Sequence, residues 1–183
     1  MPAAPTSLRE TYLRLVLPTL KKEFGYKNDL AAPRLRKVVL NIGLSTGKRD
    51  AKFAETARAT LTRITGQKPV MTLAKRSISN FKIREAQEVG CTVTLRGSRM
   101  YDFLEKFVRI GLPRIRDFRG LPSSSLDQQG NLALGLREHI VFPEIRTDEV
   151  ESVHGLELAI ATTANRRDVG KRLFQLLGFP FAD

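Results

Sequence analysis

Gly43-Leu44-Ser45-Thr46-Gly47-Lys48 lies between a run that reads as a strand and one that reads as a helix, where a phosphate-gripping loop would sit. Its spacing does not suit that task. A Walker loop needs four residues between its glycines and a hydroxyl residue after the lysine, whereas here three residues intervene and Arg49 follows. His139 and His154 have no second His or Cys at metal-ligand spacing. Cys91 alternates with Val89 and Val93, as a small core hydrophobe would. No Gly-x-Ser-x-Gly and no Ser, His and carboxylate arrangement is visible. The expectation is a chain with no catalytic residues, no metal and no cofactor. A nucleotide-dependent RNA-processing enzyme built on the Gly43 loop is the competing reading, and an ATP or GTP turnover assay separates the two.

Charge is the stronger signal. The 183 residues carry 31 Lys and Arg against 19 Asp and Glu, a formal net charge of +12, which calls for a polyanionic partner. Fifteen basic and four acidic residues fall between Arg34 and Arg99, whereas Gly120 to the C-terminus holds six basic and nine acidic. Cations spread over strands, loops and helices suit RNA better than a membrane surface, which favours one amphipathic helix. No apolar run approaches a bilayer span, and Met1-Pro2-Ala3-Ala4-Pro5 lacks a signal pattern, so the expected location is where the chain is made. The single cysteine fits a reducing compartment.

The elements that must carry these residues follow from periodicity. Ser7-Leu8-Arg9-Glu10 has capping-box form and opens a helix with Tyr12, Leu15, Val16 and Leu20 on its apolar face, kinked or broken at Pro18 and ending near Gly25. Leu35 to Ile42 reads as a strand. Asp50 can cap a helix carrying Phe53, Ala57, Leu61 and Ile64, which Gly66 ends. Lys68 to Leu73 and Glu88 to Gly97 read as strands. The second has Val89, Cys91, Val93 and Leu95 on one face and Gly90, Thr92, Thr94 and Arg96 on the other. Between them Ala74 to Gln87 is too long and too basic for a simple hairpin turn. Ser98 can cap a helix burying Met100, Phe103, Leu104, Phe107 and Val108 and closed by Pro113. Arg114 to Gln129 reads as an exposed loop. Leu132, Leu134 and Leu136 mark a fourth strand, and Leu156, Leu158, Ile160 and Thr162 a fifth. Asn165 can cap a last helix burying Val169, Leu173, Leu176 and Leu177, stopped by Gly178. The expected fold is α+β: one domain over residues 1–183, a two-layer sandwich of mainly antiparallel sheet with helices on one face. An N-terminal helical segment spans 1–33 and a projecting basic loop 74–87.

Several segments resemble a known family. They are Ile64-Thr65-Gly66-Gln67-Lys68-Pro69, Ala74-Lys75-Arg76-Ser77-Ile78 and Phe81-Lys82-Ile83-Arg84. With them go Gly90-Cys91-Thr92-Val93-Thr94-Leu95-Arg96-Gly97, Arg99-Met100-Tyr101, Pro113-Arg114-Ile115-Arg116-Asp117-Phe118-Arg119-Gly120-Leu121 and Phe142-Pro143-Glu144-Ile145. In this order, from about Pro33 to Phe181, the chain resembles the universal large-subunit ribosomal protein L-five family of bacterial or organellar type. It departs at Leu126-Asp127-Gln128-Gln129-Gly130-Asn131, where the family usually has Phe-Asp-Gly-Arg-Gly-Asn, and at Arg166-Arg167-Asp168, which is commonly acidic.

The resemblance implies a non-enzymatic ribosomal protein that binds 5S rRNA and helps attach it to the central protuberance, in the cytoplasm or an organelle's matrix. Asn41, Gln67, Thr92, Thr94 and Arg96 take the rRNA-binding role by position, with Arg34 and Lys37 as phosphate contacts. The loop residues Lys75, Arg76, Ser77, Ser79, Asn80, Lys82 and Arg84 are implied to reach the peptidyl-site tRNA. Arg114, Arg116, Glu144, Asp148, Glu149 and Glu151 are implied to bridge to a protein of the small-subunit head. Large-subunit rRNA and neighbouring large-subunit proteins complete the partners, with no membrane among them. A free 5S rRNA chaperone using the same surface is the alternative.

Overall fold

The computed structural model describes residues 7–44, 51–146 and 153–182. Asp50, the end of the Gly43 loop and the acids Asp148, Glu149 and Glu151 lie outside them. Helix α1 (Leu8–Thr11) runs through a π-helical turn (Tyr12–Val16) into α2 (Leu17–Phe24). Then come β1 (Leu35–Gly43), α3 (Ala51–Thr65), β2 (Val70–Leu73), β3 (Glu88–Leu95), α4 (Gly97–Lys106), β4 (Leu132–Leu136), β5 (Leu156–Thr162) and α5 (Arg167–Leu176). The fold is α+β, and the five strands form one sheet in the order β2-β3-β1-β5-β4. Strands β2 and β3 are antiparallel, with Val70 opposite Thr92 and Met71 opposite Cys91. Two compact units share the chain: Met1–Val38, Leu95–Leu134 and Ala159–Asp183 form one, Val39–Thr94 and Gly135–Leu158 the other.

In the first unit, Leu8, Tyr12, Val16 and Leu20 are buried at a constant spacing of four. An α-helix of 3.6 residues per turn would carry such a series off one face, and the wider π turn brings it back. The same turn leaves Leu15 half exposed, contrary to its expected place on the buried face. The helical run passes through Pro18 without a break and ends at Gly25 in the left-handed conformation. Ser7 caps it, its hydroxyl accepting from the Glu10 N–H.

Two caps differ from expectation. Arg96 and Arg166, both extended, are the N-cap residues of α4 and α5, whereas Ser98 already lies inside its helix and Asn165 adopts φ +57°. The 114–129 segment is not simply exposed. Leu121 and Leu126 are buried, and Leu121 exchanges backbone hydrogen bonds with Pro180 and Ala182. Phe174 joins Val169, Leu173 and Leu177 in the buried side of α5, while Leu176 is only half-buried.

In the second unit β2 starts at Val70 rather than Lys68, and α3 buries Ala57, Thr60, Leu61 and Ile64. His139 and His154 are buried there and stack in parallel, ring centroids 3.9 Å apart. Nδ1 of His139 lies 3.3 Å from both the backbone N–H and the carbonyl oxygen of His154. Burial holds the His139 pKa below its ordinary value, although the hydrogen bond to the His154 backbone pulls the other way. An unfolded histidine titrates near about 6.5. Below that pH the unfolded chain binds a proton that the folded one refuses, so stability is fully present above about pH 6.5 and declines beneath it. We therefore expect the urea midpoint to fall between about pH 7.5 and 5.5, and His139→Gln, which keeps an acceptor but cannot titrate, to flatten that fall. An identical pH slope in both proteins would assign the effect to other groups.

Candidate nucleic-acid interface

Strand β3 follows its expected alternation from Cys91 onward, whereas Val89, expected on the buried face, is only half-buried and Gly90, expected on the polar face, is buried. Cys91, Val93 and Leu95 are buried, while Thr92 is half-buried and Thr94 exposed on the opposite side. In β1 the residues Val38, Leu40 and Ile42 are buried, leaving Asn41 half-exposed between them. The two strands meet closely at Gly90. A Cβ there would lie 2.7 Å from Thr72 Oγ1, 3.2 Å from the Ile42 carbonyl oxygen and 3.6 Å from Asn41 Oδ1. A glycine inside a strand marks such a close approach.

Asn41, Thr72, Gly90 and Thr92 thus gather on one surface of the second unit. Glu157 of β5 accepts from the Asn41 amide nitrogen at 3.3 Å, which orients the Asn41 carbonyl oxygen. The Thr92 hydroxyl donates to the Leu40 carbonyl, leaving its lone pairs as acceptors. Such a surface offers fixed donors and acceptors suited to ribose hydroxyls and base edges. Thr72, Gly90 and Glu157 were not singled out from the sequence as binding residues. Only Gly90 carried a local signal, being a glycine within an alternating strand.

The remaining expected rRNA contacts are less gathered. Gln67 sits half-buried on the turn after α3, its backbone N–H bonded to the Thr65 hydroxyl at 3.2 Å. Arg34, Lys37 and Arg96 belong to the first unit. Arg34 is exposed, its carbonyl accepting from the Thr163 N–H and its own N–H donating to the Thr163 hydroxyl, Lys37 is half-exposed on β1, and Arg96 is exposed where β3 passes into α4. Such cations suit phosphate contacts.

The 74–87 segment is an irregular extension of the β2–β3 hairpin. Ala74 bonds Gln87 and Ala86 across its base, and Ile78 and Ile83 form a two-way bridge further out. A 3-10 turn (Ser79–Phe81) leads to Lys82 at φ +52°. Lys75, Arg76, Ser77, Ser79, Asn80, Lys82 and Arg84 are all exposed. The Ser77 hydroxyl accepts from the Glu85 N–H at 2.9 Å, so it shapes the loop from within. Main-chain bonds hold the base and the outer part of this segment.

Of the expected bridge residues, Arg114 and Arg116 are exposed in the first unit, and Glu144 is half-buried beside Phe142 and Pro143 in the second. Among the described residues no cluster of His, Cys, Asp and Glu could hold a metal, and no helix is long and apolar enough to cross a membrane.

Comparison with known proteins places the chain in a family. The family description "Ribosomal protein L5" matches residues 28–84 and "ribosomal L5P family C-terminus" matches residues 88–181. Similar proteins include "Large ribosomal subunit protein uL5" of Thermoanaerobacter sp. (strain X514), 50% identical over 96% of this chain and 98% of that protein. The protein of the same name from Desulfatibacillum aliphaticivorans is 52% identical over 96% and 98%. That of Fervidobacterium nodosum is 51% identical over 95% of each.

Proposed function

From the premise that the chain belongs to the ribosomal protein L5 family, we propose that it is a structural, non-enzymatic constituent of the large ribosomal subunit that binds 5S rRNA. The observation that carries the reading is the polar surface of β1 and β3, where Asn41 is oriented by Glu157 and Thr92 lies beside Gly90. Bases and ribose edges meet Asn41, Gln67, Thr92 and Thr94, and phosphates meet Arg34, Lys37 and Arg96. The exposed cations of the 74–87 loop contact the peptidyl-site tRNA through its backbone, a mode that reads no sequence and so accepts every tRNA. Arg114, Arg116 and the acids around Glu144 to Glu151 form a bridge with a small-subunit head protein. Exposed charge pairs there contribute only about 0–1 kcal/mol each and reform readily, as a sliding contact requires. Bound to large-subunit rRNA and neighbouring proteins, the chain resides in the ribosome.

Arg96→Ala tests the assignment. Its guanidinium stands on exposed backbone at the strand end, away from the core, so the variant keeps its unfolding midpoint. It loses on the order of 1–3 kcal/mol of 5S rRNA affinity, by analogy with other specific guanidinium contacts. A folded variant with unchanged affinity would move the RNA surface off this end of β3. The alternative, a chaperone of free 5S rRNA, predicts binding to that RNA without cosedimentation of the protein with large subunits.

A further inference from the structure

Within the first unit, α5 and the 121–128 segment enclose an open depression of about 630 Å³ lined by Ser123, Gln128, Arg166, Arg167, Asp168 and Lys171. Three cations therefore face one acid. Arg166 is matched by Asp168, to which its guanidinium donates twice. Arg167 and Lys171 are held differently. Arg167 Nη2 donates to the Ser123 carbonyl at 2.6 Å, and Lys171 Nζ donates to the Ser123 hydroxyl at 3.2 Å. Lys171 also lies 5.8 Å from the centroid of the Phe181 ring. Both cations are thus positioned by neutral groups, and among the described residues neither pairs with a carboxylate.

This placement works against the helix. Residues four apart face the same side, so Arg167 and Lys171 repel each other. Arg167 also stands in the first turn of α5, where the helix dipole disfavours positive charge. Two like charges one helical turn apart, both held by Ser123 and not by a carboxylate, gain from a polyanion the charge compensation that the isolated chain does not give them.

We propose that this depression is a second RNA contact, in which Arg167 and Lys171 take phosphodiester oxygens of an RNA backbone. The contact rests on the reading of the chain as an RNA-bound protein, but not on which RNA the β1–β3 surface selects. Its lining has Ser and Gln beside the cations and no aromatic face open for stacking, which suits backbone positioning rather than base reading. RNA is favoured over an acidic protein because the site is open, and because the chain as a whole carries +12.

The test measures binding of the full chain to a non-cognate RNA duplex across a salt series. Arg167→Gln with Lys171→Gln should lower the slope of log affinity against log salt by about two, near one for each phosphate that is no longer neutralised. The exchange Arg167→Lys with Lys171→Arg should restore it. A control, Lys22→Gln with Lys27→Gln, removes the same charge from the exposed N-terminal helical segment and should change the slope less. Equal changes in the two Gln pairs would reduce the effect to net charge and overturn the proposal, as would an unchanged slope in the first. Loss of binding to poly-glutamate with RNA binding intact would assign the depression to an acidic protein instead. Failure of the 5S reading appears separately, as absence of any preference for 5S rRNA over the duplex in the unaltered chain.

Discussion

Replacing Lys75, Arg76, Lys82 and Arg84 together with Ala is expected to leave 5S rRNA affinity unchanged while loosening peptidyl-site tRNA in the ribosome by about one to two orders of magnitude. That size follows if each exposed cation contributes up to about 1 kcal/mol. The separation of the two effects has a structural cause. The loop is closed by its own backbone through Ala74, Gln87, Ile78 and Ile83, and by Ser77 bonding Glu85. None of the four side chains takes part in the contacts that set Asn41 and Thr92. The readouts are filter binding of 5S rRNA and the dissociation rate of tRNA from reconstituted ribosomes. Equal weakening of both would mean one continuous RNA site and contradict the division of labour proposed for the loop and the sheet.

A second large effect is expected where no ligand is involved. Gly170 lies in the middle of α5, where Ala is ordinarily better than Gly by about 1 kcal/mol. Here the substitution should destabilise by roughly 3 kcal/mol or more, at and beyond the upper range for overpacking. A Cβ on Gly170 would lie 2.4 Å from Gly130 Cα and 2.6 Å from the Gly130 carbonyl oxygen, both backbone atoms without a rotamer to yield. Gly130 cannot retreat easily. At φ +80° it belongs to a turn fixed by Asp127, whose carboxylate accepts from the backbone and side-chain nitrogens of Asn131 at 2.7 Å each. Partial burial pushes the Asp127 pKa up, but these bonds and the N–H groups of Gln129 and Gly130 outweigh it and hold the carboxyl below its usual range. Asn131 in turn accepts from the Thr162 N–H, tying the turn to β5. A thermal midpoint for Gly170→Ala equal to or above the unaltered value would refute this packing.

What the sequence made legible and what it hid follow from the range of the interactions. The alternation of β3 and the glycine stops of α2 and α3 are local, and Thr92, Thr94, Gly25 and Gly66 stand as the spacing predicts. The helix starts were misplaced because the expected polar caps were overridden by backbone geometry. Gly97 and Asn165 take positive φ, which hands the capping position to Arg96 and Arg166 respectively. The burial of Leu121 could not be read from its neighbours, since its partners are Pro180 and Ala182 at the far end of the chain. Likewise Glu157 orients Asn41 from 116 positions away, and no residue type or spacing announces the pairing. The basic character of the 74–87 segment is plain in its composition, whereas its closure through Ile78 and Ile83 depends on a backbone pairing that no residue type signals.

The most direct test of the central claim is equilibrium binding of the full chain to 5S rRNA and to a scrambled RNA of equal length, each across a series of salt concentrations. The account predicts that 5S rRNA binds more tightly by on the order of a thousandfold, as specific nucleic-acid complexes do. It also predicts that log affinity for both RNAs falls linearly with log salt as counterions are released. Equal affinity for the two RNAs, or an affinity for 5S rRNA that ignores salt, would contradict it.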